Sequence, residues 1–264
     1  MSDSTIEQIL KLASQRADAA EVYYLSSQDT PIEFENNRLK SLQTKALQGV
    51  ALRLIYQGKI GFASSTDLTR IDDLVDAAIQ TAEIGDRAEF EFASNFHLKT
   101  PESTYIPPTT AELVENGKNL IEEVHAYNPD IIVDVGFHVR SGRVKIATTQ
   151  DVYAERCSQI VSGTISGNLV LGEDFMQAYS YDVACDRPLD TNKILQTLLE
   201  KYRLAENAAS ISSGTYPVLF TPNAAASTLG SLFDTILSGQ AVVQKASPLA
   251  DKIGETLFDE RFTF

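Results

Sequence analysis

The chain has 264 residues, 43% of them hydrophobic, with 22 basic against 36 acidic side chains and a net charge of −14. That is enough apolar material for a core of one large or two ordinary domains. The acidic balance, with no Lys/Arg run and no basic amphipathic helix, argues against nucleic acid or an anionic membrane as a partner.

From the N-terminus, Ser4 and Glu7 read as a capping box before Ile6, Ile9, Leu10 and Ala13, an amphipathic first helix. "AEVYYLSS", "PIEFENNRLKSLQ" and "GVALRLIYQGKIGFASS" read as strands, with turns at Asn36-Asn37 and Gln57-Gly58. Thr69 caps a second helix whose Ile71, Leu74, Val75, Ala78, Ile79 and Ala82 share one face. Residues 86–108 are polar and proline-containing and read as a surface loop. Thr109 and Glu112 open a third helix, stopped by Pro129.

In "DIIVDVGFHVRSGRVKIATTQD" the spacing predicts a hairpin: Val133 to Val139 alternate, Ser141-Gly142 turns, and Val144 and Ile146 return. Residues 152–184 hold two further strand-like runs, and Asp190 or Thr191 starts a long helix with Leu195, Leu198, Tyr202 and Ala205 inward. "SISSGTYPVLFTP" is a loop and short strand, "TLGSLFDTILSG" a helix, and "TLFDERFTF" a final strand. Helices interleaved with strands give an α+β class: an N-terminal mixed helix and antiparallel-sheet domain over 1–210, and 211–264 as the start of a β-rich domain. The final strand has no following partner, so the chain reads as part of something longer, with a tail that frays or makes the contact of a homo-oligomer.

Chemistry-bearing motifs are scarce. His97, His125 and His138 are spaced for no zinc motif, and Cys157 and Cys185 form no CxxC. There is no GxSxG elbow, and "GTISGNLVLG" matches neither GxGxxG nor the P-loop, so its glycines read as strand bends or turns. Glu33/Glu35, Asp72/Asp73 and Glu122/Glu123 read as solvated faces. No run approaches a membrane span, and "MSDSTIEQILKLASQ" lacks the pattern of a signal peptide, which leads us to expect a cytoplasmic location.

Several stretches in order resemble the TldD/PmbA family, whose members are also called modulators of DNA gyrase: "ENNRLKSLQ", "GVALRLIYQGKIGFASS", "TDLTRIDDLVDAA", "YPVLFTPNAAASTLGSL" and "GQAVVQKASPLADKIGE". The last resembles the PmbA (TldE) branch in particular. The resemblance runs from about residue 18 to residue 264. It implies a helix that, in the TldD branch, carries an HExxxH motif and binds a catalytic metal together with a later Cys. On that helix this chain places Gly230 and Thr235 at the two His positions and Ser231 at the Glu position.

The resemblance therefore implies a non-catalytic PmbA/TldE-like subunit, a pseudoenzyme with no cofactor of its own. Its implied partner is a TldD-like metalloprotease subunit. The implied substrates are unfolded peptides, peptide-antibiotic precursors or antitoxins. Two other readings stand beside it: an active metallopeptidase of the same family, and a stand-alone peptide-binding or gyrase-regulating module.

Overall fold

The computed structural model describes residues 3–207 and 209–262. They form two compact units that divide at residue 208. The first comprises α1 (Asp3–Ser14), β1 (Ala19–Glu35), β2 (Arg38–Leu42), β3 (Lys45–Tyr56), β4 (Lys59–Ser65), α2 (Ile71–Ile84), β5 (Phe96–Lys99), α3 (Thr110–Tyr127), β6 (Ile132–Thr148), β7 (Val152–Leu171), β8 (Asp174–Ala184) and α4 (Thr191–Ala205). The strands make one sheet in the order β4-β3-β1-β6-β7-β5, with β2 on β1 and β8 on β7. Every pairing is antiparallel except β5 with β7. The fold is α+β, as the residue patterns predict.

Two-residue turns set the hairpins. Asn36 and Asn37 (φ 50° and 67°), and Gln57 and Gly58 (φ 52° and 72°), take the left-handed conformations that match strand twist. Other local expectations fail for reasons of pairing. β1 is one strand rather than two: its β3 ladder ends at Asp29–Lys45 and its β2 ladder begins at Ile32–Leu42, so Pro31 falls in the gap between partners. β6 also runs straight through Ser141-Gly142, because both residues are paired on both sides, with Gln28 and Ser27 of β1 and with Gln159 and Ser158 of β7. The polar stretch 86–108 contains β5, which the ladder of β7 recruits at residues 152–155.

Helix starts are mixed. Thr109 and Glu112 form the expected capping box, and Asp190 accepts the Lys193 N–H at 2.8 Å. Thr69 does not cap α2. Its hydroxyl donates to Asp67 at 2.7 Å, and the cap position falls to Arg70. Ser4 lies inside α1, which begins at Asp3. Ala205 is exposed at the end of α4.

All four helices cover one face of the sheet, in two groups. α1 and α2 pack on Ala20, Val22, Tyr24, Leu52 and Leu54. α3 and α4 pack on Ile32, Phe34, Val135, Phe137 and Ile165. The β1 members of both groups are even-numbered, so both cores lie on the same side of the sheet. Each fully buried Leu, Ile or Phe contributes about 1.5–3 kcal/mol. Between the two cores, Ser26, Gln28 and Thr30 face the same side but belong to neither.

The second unit is helical among its described residues. α5 (Pro222–Ala225), a π-helical turn (Ala226–Gly230) and α6 (Ser231–Ile236) run on continuously, and α7 (Gly239–Val243) follows. Neither expected strand is present among these residues. Residues 215–221 are irregular, with Leu219 fully in solvent. "TLFDERFTF" (its last two residues lie outside the described range) forms turns. Phe258 and Phe262 sit four apart and both stack on Phe233 at 5.4 and 5.3 Å, and Asp259 pairs with Arg261 at 2.8 Å. A spacing of four gathers both rings on one side, which a strand would place far apart along one face.

The first unit holds both large cores. A chain ending at Asn207 is therefore expected to unfold in one cooperative transition, with limited proteolysis of the parent chain leaving the same fragment. Loss of cooperativity in calorimetry on that shorter chain would show that residues beyond 208 belong to its core.

Candidate functional site

The three positions that the resemblance sets on a TldD-type metal helix lie in the second unit. Gly230 ends the π-helical turn and Ser231 begins α6. The Ser231 hydroxyl donates to the Ser227 carbonyl and the Thr235 hydroxyl to the Ser231 carbonyl, each at 3.0 Å. Both are turned back on their own helix. No imidazole or carboxylate stands at these positions, so they do not fit a transition metal. Among the described residues no group of three His, Cys, Asp or Glu is placed to hold a metal ion.

The histidines serve separate local roles. His97 on β5 faces Asp151 at 3.2 Å. His125 on α3 bonds the Ile131 carbonyl at 3.1 Å, closing the turn into β6. His138 on β6 sits 3.2 Å from Asp29, which also takes Arg140 at 3.3 Å. They come together neither with each other nor with Cys157. Gly163 and Gly167 lie inside β7, where a Cβ would stand 3.0 Å from the Phe137 ring and 2.6 Å from the Tyr202 hydroxyl, so they admit core side chains rather than phosphate. The paired carboxylates of the sequence are solvated, as their pattern predicts.

A polar groove of about 530 Å³ lies between the two helical groups of the first unit. Strand register builds its floor. Gln48, Ser26, Arg143 and Cys157 stand opposite one another across β3, β1, β6 and β7. Two residues along, the same strands contribute Ala46, Gln28, Ser141 and Gln159. A strap, residues 100–108, runs from β5 to α3 and supplies Glu102 and Ser103 to the groove wall.

One end of the groove is closed by a buried ion cluster. Glu155 and Lys145 are 3% and 4% exposed. Glu155 accepts from the Tyr153 hydroxyl at 3.1 Å and pairs with Arg143 at 3.2 Å and Lys99 at 3.4 Å. Lys145 pairs with Asp3 of α1 at 2.6 Å, and Arg143 also pairs with Glu102 of the strap. Burial pushes the Glu155 carboxyl upward, but the Tyr153 hydroxyl, Lys145 and Lys99 outweigh it and hold the group below its ordinary value. Burial likewise pulls Lys145 down, and Asp3 and its neighbours more than restore it. Burial and the two acids push Tyr153 up to about 12.

The hairpin reading concealed this cluster. It broke the strand at Ser141-Gly142 and had Val144 and Ile146 return, whereas in the straight β6 Arg143 and Lys145 share the helix-covered face with Phe137 and Ala147. The available signal was parity: charges at the spacing of core residues.

A family model described as PmbA/TldA metallopeptidase domain 1 matches residues 20–82, and one described as PmbA/TldA metallopeptidase C-terminal domain matches residues 213–264. Both matched segments are thus similar to domains of the TldD/PmbA family. An uncharacterised protein of Methanocaldococcus jannaschii is 23% identical over 262 residues, which is 98% of this chain and 60% of that protein. Among solved structures, TldE of Thermococcus kodakarensis superposes with a TM-score of 0.78 at 17% identity, over 95% of this chain and 59% of that one. A candidate modulator of a DNA gyrase from Thermotoga maritima gives 0.82 at 18% identity, covering 96% and 59%. Another from Bacteroides thetaiotaomicron gives 0.83 at 20%, covering 98% and 62%. These likenesses establish the TldD/PmbA fold for a chain that spans less than two thirds of each of these relatives. No helix among the described residues is long and apolar enough to cross a membrane.

Proposed function

We propose that this chain acts as a non-catalytic, PmbA/TldE-type subunit that pairs with a TldD-type metalloprotease subunit in the proteolysis of unfolded peptides. The observation that carries this reading is the ligand-free chemistry of the metal-helix positions. Gly230 has no side chain, and the hydroxyls of Ser231 and Thr235 are spent on helix carbonyls. Hydrolysis at a zinc site needs three protein ligands and a base that these residues do not supply. The partner would then bring the reaction, and this chain would contribute surface to peptide admission.

Co-expression with a TldD-type subunit from the same genome is expected to give co-elution and peptide hydrolysis by the pair alone. The isolated chain is expected to retain less than about a tenth of an equivalent of zinc after dialysis. Stoichiometric zinc, or chelator-sensitive peptidase activity of the isolated chain, would overturn the proposal.

A further inference from the structure

A segment of chain already lies along the wall of the groove: its own strap. Gln159 donates its side-chain amide to the Tyr105 carbonyl at 2.9 Å, and the Cys157 backbone N–H donates to the Thr100 hydroxyl at 3.0 Å. Arg143 takes the Glu102 carboxylate. A backbone carbonyl on an amide and a carboxylate on a guanidinium are the contacts with which a protein holds a peptide without reading most of its side chains.

The two acids on Arg143 differ in kind. Glu155 is buried and shared with Tyr153 and Lys99, whereas the side chain of Glu102 is 71% exposed and pairs with Arg143. In the joined cluster Lys99, Arg143 and Lys145 stand against Asp3, Glu102 and Glu155, so the charges balance only while Glu102 is in place. Withdrawing Glu102 leaves one positive charge facing a polar groove. Beside it stand Ser26, Gln28, Gln48 and Ser141, whose hydroxyls and amides both donate and accept.

We propose that this groove is a binding site for an extended peptide carrying a carboxylate, anchored on Arg143 in the place that Glu102 occupies. Glu102 acts as an internal competitor that keeps the site neutral until an acidic peptide displaces it. Unfolded peptides as the ligand class rest on the reading above. The site itself belongs to this chain alone, so it can be tested without any partner subunit.

The probe is a fluorescein-labelled, C-terminally amidated Gly-Ser-Glu-Ser-Gly peptide, compared with its Gly-Ser-Gln-Ser-Gly twin by fluorescence anisotropy on the full chain. Glu102→Gln is expected to bind the Glu peptide about tenfold tighter than the parent chain, and the Gln twin at least about tenfold more weakly than the Glu peptide. Adding Arg143→Gln to Glu102→Gln is expected to abolish the difference between the two peptides. Because Arg143 also faces buried Glu155, the double variant is first checked by thermal melting. Glu102→Gln changes an exposed side chain and stands by itself as the decisive variant. Equal affinity of Glu102→Gln and the parent chain, or equal affinity for the two peptides, would overturn the proposal. Hydrolysis by a heterodimer, present or absent, leaves this result unaffected.

Discussion

Gly61→Ala is expected to be the most damaging single-methyl change in the first unit. A Cβ at Gly61 would stand 2.0 Å from the Ala78 carbonyl oxygen and 2.8 Å from the Ala82 Cβ, both on α2. Neither can rotate away, since one is helix backbone and the other has no torsion to turn. The helix is also pinned to β4, because the Phe62 N–H donates to the Thr81 hydroxyl at 2.8 Å. To admit the methyl, α2 must lift from β4, breaking contacts that bury Val75, Ala78 and Ala82 completely. The expected cost is about 3 kcal/mol, at the upper end of core overpacking. For a unit of this size that corresponds to a loss of roughly 6–12 °C in Tm. Gly58→Ala is the control. It has positive φ (72°) but nothing within 4 Å of the added atom, so its cost is only conformational, about 1 kcal/mol. A melting temperature for Gly61→Ala equal to that of Gly58→Ala would show that α2 rides freely over the sheet.

The second large effect is expected at Asp182, one of the few acids on the helix-covered face. It accepts from both Arg187 Nη1 and Nη2 at 2.8 Å and from the Asp190 N–H at 3.0 Å. Asp190 in turn caps α4, so one carboxylate fixes the whole connection from β8 into that helix. The Arg187 guanidinium, opposed by burial and aided by the Asp190 N–H, holds the Asp182 pKa down to about 2. The folded value is therefore below the ordinary carboxylate value of about 3.9. The stabilisation is fully present above about pH 4 and drains away as pH falls toward 2, because the unfolded chain takes up the proton first.

With a side chain only 9% exposed, solvent screening is slight, and the contribution at neutral pH is about 2 kcal/mol. Asp182→Asn is expected to lose that amount at pH 7 and to converge on the parent chain near pH 2, since a protonated Asp resembles Asn. Denaturant titrations of both chains across this range provide the check. A difference that stays constant with pH would mean that shape at this site, not charge, holds the connection.

Several parts of this protein were legible in the residues alone because they are governed by neighbours in sequence. The turns at Asn36-Asn37 and Gln57-Gly58, the capping box of Thr109 and Glu112, the cap at Asp190 and the apolar face of α2 are all decided within a few positions. What only the tertiary structure decided concerns residues whose state depends on distant partners. Ser141-Gly142 has the composition of a turn, yet ladders on both sides keep it straight. That continuity sets the parity of the remainder of β6, placing Arg143 and Lys145 on the helix-covered side and Val144 and Ile146 on the other. Residues 96–99 look like loop until β7 pairs with them. Phe258 and Phe262 look like strand until Phe233 gathers both rings. The groove follows from the same cause: four strands, distant in sequence, bring Gln48, Ser26, Arg143 and Cys157 into one row, and backbone hydrogen bonding between strands, which carries no local residue signature, sets that row.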